Sequence, residues 1–213
     1  MFMKKYLSLM IAVVFLILTS ITSLANTDER VQAKFTQKAC NYEKLQRKLW
    51  HEHVKWTNSF VVSDIANLED KGDVLNRLLR NQDDLGKSIA PYYGSNNARQ
   101  FAKLLREHIV IAGQVVDAAK AGNTSDFNKY NKLWYKNADD IVAFLQKLNP
   151  NWSKKVLTDM FYTHLKLLTD QTTFYLKKQW KDYIRSYDIG EDHMLMFADI
   201  ISKGIAKQFP QKF

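Results

Sequence analysis

A single cysteine, Cys40, among 213 residues leaves the chain no intramolecular disulfide, so its stability must come from packing or from a ligand. Only three prolines and seven glycines are present. Half of them mark candidate breaks: Pro91 with Gly94 in "APYYGSNN", Gly122 in "AGNTSD", Pro150 in "LNPNWS", and Gly190. Between these points no segment alternates polar and apolar as a half-buried strand would. Signatures of catalysis are missing as well. There is no Gly-rich phosphate loop, no nucleotide motif and no Ser-His-Asp arrangement. No Cys-x-x-Cys-His attaches haem, no Glu-x-x-His suggests a di-iron carboxylate bundle, and no histidine pair at i and i+4 suggests a zincin.

What is present begins with a leader. Lys4 and Lys5 precede an apolar run from Tyr6 to Leu18, and Ser23 and Ala25 stand where a signal peptidase reads. The expectation is a signal peptide over 1–25 cleaved after Ala25, with an uncleaved membrane anchor as the alternative. Export would place the protein in the periplasm or outside the cell. Without Lys4 and Lys5 the chain keeps 29 basic against 22 acidic residues. In a cytosolic protein this excess would suggest nucleic acid, but export removes nucleic acid from the expected partners. An anionic membrane surface or a cell-envelope polymer suits it better, and a solvated helical surface of mixed charge is the plainer reading.

Apolar residues recur at three and four along the rest of the chain, which predicts an all-α, up-and-down bundle in one domain, 41–213, after a loose arm, 26–40. Six helices are expected, over about 41–66, 70–89, 96–121, 125–148, 154–185 and 191–208. Ser95 or Asn96, Thr124 and Ser153 are the expected N-caps of the third, fourth and fifth. Tyr92 and Tyr93 of "PYYG" are expected to cap the end of the bundle.

One pattern occurs three times: "LWHEHV", "LLREHI" and "MFYTHL" each carry two large apolar residues, any residue, a polar one, His and an aliphatic. The histidines are His53, His108 and His164, at intervals of 55 and 56 residues. "RNQDDL" from Arg80 matches "KNADDI" from Lys136, so Asn81 follows His53 by 28 residues and Asn137 follows His108 by 29. Counting 28 from His164 reaches Asp192, beside His193. The reading is three pseudo-repeated α-hairpins, each with His on its first helix and Asn or Asp on its second.

On a helical wheel His53 shares a stripe with Leu45, Leu49, Trp56 and Phe60. His108, His164 and His193 fall at the centres of apolar faces, the last among Ile189, Met196 and Phe197, while His51 points to solvent. Gln82 points inward with Asn81 at the edge of that face, and Gln171 shares the face of His164. Buried imidazoles must be satisfied. One reading is a hydrogen-bonded layer that fixes helix register. Another is a transition-metal site with His53, His108, His164, His193 and Asp192 as ligands and Asn81, Gln82, Asn137 and Gln171 around them. A third is a small polar cavity for an organic ligand or water. Imidazole-rich and carboxylate-poor, such a site suits zinc, copper or nickel rather than magnesium or calcium. Binding is thus expected ahead of catalysis. The alternatives are a structural or interaction protein, or, more weakly, a hydrolase using His and Asp as base and acid.

The segments "LWHEHVKWT", "RLLRNQDDLG", "PYYG", "LLREHIVIA" and "KLWYKNADDI" resemble a family of small, mostly exported bacterial helical proteins without an established role. The likeness covers most of the chain after the leader. It implies the helical fold and supplies no activity, substrate or catalytic residue.

Overall fold

A computed structural model describes residues 37–213. The expected leader and most of the expected arm lie outside the described residues. Helix α1 covers 37–65, so helix already occupies the end of the segment expected to be loose. Then come α2 (Lys71–Lys120), α3 (Thr124–Leu148), α4 (Lys154–Leu176) and α5 (Trp180–Gln208), with a short 3-10 turn at Pro210–Lys212. No strand occurs among the described residues. The described residues are therefore all-α, with five α-helices rather than six.

The count differs because the expected second and third helices form one element. Helix continues through Pro91 and reverses only at Gly94, where φ is 79° and ψ 164°, a conformation open to glycine alone. The two arms of α2 fold back on each other. A Cβ at Gly86 would stand 2.7 Å from Ala98 O and 2.8 Å from Ala102 Cβ, so only hydrogen allows this approach. Arg106 of the second arm donates to Leu79 O and to Asp83 of the first, both at 3.1 Å.

Three helices end alike. Asn67, Gly122 and Lys178 have φ of 52°, 65° and 56°. After each of them a backbone N–H returns to a carbonyl five residues earlier: Leu68 to Ser63, Asn123 to Ala118 and Gln179 to Phe174. The last of these corrects the expected boundaries. α4 stops at Leu176 rather than near Arg185, and Gly190 lies inside α5 rather than before it. The N-cap of α3 is Asn123, not Thr124; its side-chain oxygen accepts from the Asp126 N–H at 3.1 Å. Ser153 caps α4 by accepting from the Val156 N–H.

Each helix buries one stripe. In α3 it is Trp134, Ala138, Ile141, Val142 and Leu145, spaced by threes and fours. α1 lies on the first arm of α2, the second arm packs on α3, and α4 packs on both α3 and α5. Trp50 meets Phe197 edge-on at 4.9 Å, and Arg47 grips both oxygens of Asp199 at 2.8 Å, joining α1 to α5. At one end, Tyr92 stacks on Phe213 at 5.2 Å, while Tyr93 donates to Gln208 and accepts from Asn149. Near the opposite end the buried Asp64 carboxylate pairs with Lys71 and Lys120. Three residues expected on buried stripes are exposed instead: Leu45, Ile189 and Met196.

Candidate functional site

Three helices from different parts of the chain deliver His53 (α1), His108 (second arm of α2) and His164 (α4) to one interior region. His53 and His108 are each 3% exposed and His164 is 8% exposed. The ring of His164 lies between the other two, 5.7 Å from His53 and 6.2 Å from His108, centre to centre. Trp50 flanks His53 at 5.5 Å and Trp134 flanks His108 at 5.3 Å. The result is a continuous row of five rings: Trp50, His53, His164, His108, Trp134.

Burial holds these imidazoles neutral. Loss of water pushes His108 down to about 4, against a weaker opposing bond from Asn137. The same effect pushes His53 to about 3, with the nearby His108 adding to it. His164 is held well below the ordinary imidazole range by burial and then by His53, His108 and His193. No carboxylate contributes to any of these shifts.

The partners of each ring differ. The Asn137 amide donates to Leu104 O at 3.2 Å, which turns its own oxygen toward His108 Nδ1 at 2.7 Å. That oxygen can only accept, so the His108 proton sits on Nδ1 and Nε2 carries a lone pair. His108 Nε2 is buried and has no hydrogen-bond partner. His53 Nδ1 lies 3.4 Å from Gln82 Nε2, which already donates to Leu78 O and Asn81 Oδ1. Asn81 donates to Leu49 O at 3.0 Å. His193 Nε2 donates to Met160 O at 2.8 Å. His164 makes no hydrogen bond among the described residues.

One expected participant falls elsewhere, and another sits at the edge of the centre. Asp192 is exposed on α5 and cannot serve the centre; one position along a helix turns a side chain by about 100°, and His193 takes the inward direction. Gln171 is buried two turns beyond His164, where it donates to Asn58 at 2.6 Å. His51 is exposed and paired with Glu191 at 2.6 Å. Residues that sequence reasoning passed over are Thr57 and Asn58, four and five positions after His53. With His164, Gln171 and Tyr187 they line a cavity of about 20 Å³. The Thr57 hydroxyl is buried without a partner, as are Gln82 Oε1 and the indole N–H groups of Trp50 and Trp134. The i+4 spacing from His53 was the one available hint of Thr57.

The cavity has room for one water and for no organic molecule. A larger open groove of about 770 Å³ lies at the surface beside α2 and α3, and reaches the centre only through Asn137. Its charges largely pair among themselves, Arg106 with Asp83 and Lys136 with Asp140. Among the described residues no group of three or more His, Cys, Asp or Glu side chains is arranged to hold a metal ion. No hydroxyl bonds a histidine among them, and no helix is long and apolar enough to cross a membrane. Comparison with known proteins found no matching family model, curated protein or solved structure.

Proposed function

We propose that the chain is three copies of one α-hairpin, and that their arrangement serves a buried tri-imidazole centre that binds a transition-metal ion. The repeat has support beyond sequence spacing. Asn67, Gly122 and Lys178, the left-handed residues that end three helices, each lie 14 residues after His53, His108 or His164. Leu49, Leu104 and Met160, whose carbonyls accept a side chain from the second helix, each lie four residues before one. The donors Asn81, Asn137 and His193 follow the histidines by 28, 29 and 29.

One observation carries the metal reading: the lone pair of His108 Nε2, oriented by Asn137, buried and unpartnered beside two further neutral imidazoles. Metal-binding histidines are oriented in this way, through a hydrogen bond to the nitrogen that does not bind. Size favours an ion over an organic ligand, because the adjoining cavity is water-sized. Three imidazoles around zinc, with nitrogens at ~2.0 Å, would set ring centres roughly 5 Å apart. The two neighbouring spacings in the row, 5.7 and 6.2 Å, are up to about an ångström wider, and His53 and His108 stand on either side of His164, so binding requires all three rings to converge. His164, which has no hydrogen bond to break, is the ring free to move.

The test is thermal denaturation of tag-free protein with zinc, copper or nickel near neutral pH. Binding to the native state should raise stability by about 2.7 kcal/mol at one hundred times Kd, and His164→Ala should abolish the rise. A second reading, a packing layer that only fixes register, rests on the three bonds to carbonyls. It is the correct one if no metal moves the transition while Asn137→Ala destabilises the protein.

A further inference from the structure

The turn between α4 and α5 has no part in the histidine centre, yet its surface departs from the rest of the chain. Trp180 is 49% exposed and Ile184 57%, one helical turn apart at the start of α5. Lys181 and Arg185 stand beside them on the same side, and Lys177 and Lys178 immediately precede; all are exposed. None of these four cations forms an ion pair among the described residues. Some cations elsewhere are paired four residues along, as in Lys136–Asp140, Lys155–Asp159 and Lys166–Asp170, and others such as Lys44 and Lys203 stand alone among the described residues; what sets this patch apart is the exposed Trp180 and Ile184 among its cations. From 177 to 185 the only acid is Asp182.

The patch is supported from beneath. The Trp180 ring meets Tyr175 edge-on at 5.3 Å, Tyr175 meets Tyr183 at 5.1 Å, and Tyr183 donates to Asn58 of α1 at 2.6 Å. The indole is thus presented by a fixed aromatic base. Of the five tryptophans, Trp50, Trp134 and Trp152 are buried and Trp56 is half-buried, which leaves Trp180 as the exposed one.

Indole and aliphatic groups ringed by unneutralised lysine and arginine are the chemistry of a membrane–water interface. The rings enter the headgroup region while the cations meet anionic lipid. From this charge complementarity we infer that the α4–α5 turn docks the protein onto an anionic bilayer surface. The orientation follows: α5 approaches by its N-terminal end, with Trp180 and Ile184 inserted and Lys177, Lys178, Lys181 and Arg185 at headgroup level.

The probe is Trp180 emission in the full chain, isolated as the difference between the wild-type protein and Trp180→Phe, with vesicles of phosphatidylcholine alone or mixed with phosphatidylglycerol. The mixed vesicles should shift the Trp180 component to the blue and shield it from a water-soluble quencher, and salt should reverse both effects. Lys177→Glu/Lys181→Glu should weaken this response by at least about thirtyfold, while thermal denaturation stays as in the wild type. An unchanged Trp180 component overturns the inference, as does an equal response to phosphatidylcholine alone. A response to a soluble polyanion with none to vesicles overturns it in favour of a charged polymer. Loss or retention of metal binding does not enter these outcomes, so this inference and the metal proposal fail independently.

Discussion

Lowering the pH from about 7 to about 5 should destabilise the protein by about 4 kcal/mol through His53 and His108 in the absence of metal, with His164 adding in the same direction. In the unfolded chain each histidine takes up a proton around pH 6.5. In the folded chain His108 takes one only at about 4 and His53 at about 3, and His164 also lies well below the ordinary value. Across this window the unfolded state binds more protons than the folded state, so stability falls as acid is added. At about pH 5 the difference is worth about 2 kcal/mol each for His108 and His53, and His164 acts in the same direction. The total is a large share of the stability of an ordinary domain, roughly 5–15 kcal/mol. The assay is urea denaturation at both pH values with chelator present, on the wild type and on His108→Gln. The variant starts from lower stability, but its loss between the two pH values should be smaller by about 2 kcal/mol. A wild-type loss under about 1 kcal/mol, or an equal loss in the variant, would mean that the rings are solvated or already protonated, and would refute the reasoning.

Other perturbations test the frame around the centre. A Cβ at Gly204 would lie 1.9 Å from Trp152 Nε1, which donates to Ile200 O. Gly204→Ala should therefore cost about 3 kcal/mol by overpacking, read as a lowered denaturation midpoint with unchanged slope. Asp64→Ala removes the buried carboxylate that Lys71 and Lys120 share, and should cost about 1–3 kcal/mol in the same measurement, because both lysines can turn to solvent.

Much of the centre was legible because burial leaves a periodic trace. His53, His108 and His164 each fall on an apolar face spaced by threes and fours, and the shared interval between them requires only counting. The pairing of His108 with Asn137 follows from the same interval. Where the reading missed, a tertiary position decided. Asn81 and Gln82 are adjacent, and only the crossing of α1 on α2 assigns Leu49 O to the first and His53 to the second. Asp192 and His193 differ by one position, and the packing of α5 turns His193 inward. The end of α4 carried no glycine or proline, because Lys178 accepts a left-handed conformation at a cost of about 1–2 kcal/mol. A single exposed turn of that kind moved two helix boundaries.

The three hairpins are not equally well satisfied, and the difference bears on what the layer is for. In the second, Asn137 alone bonds both the carbonyl of Leu104 and the ring of His108. In the first, Asn81 takes the carbonyl and Gln82 approaches the ring. In the third, His193 takes the carbonyl of Met160, and no side chain orients His164. A layer needed only for register would gain by keeping that bond, since each net hydrogen bond is worth about 1 kcal/mol. The unsatisfied ring is also the middle one of the row, and it borders the cavity lined by Thr57, Asn58 and Gln171. The hydrogen bond is missing where a ligand would have to enter and where a ring would have to turn to meet it. On the proposed reading His53 and His108 are the rings held by side-chain partners, and His164 is the arm that closes on the ion.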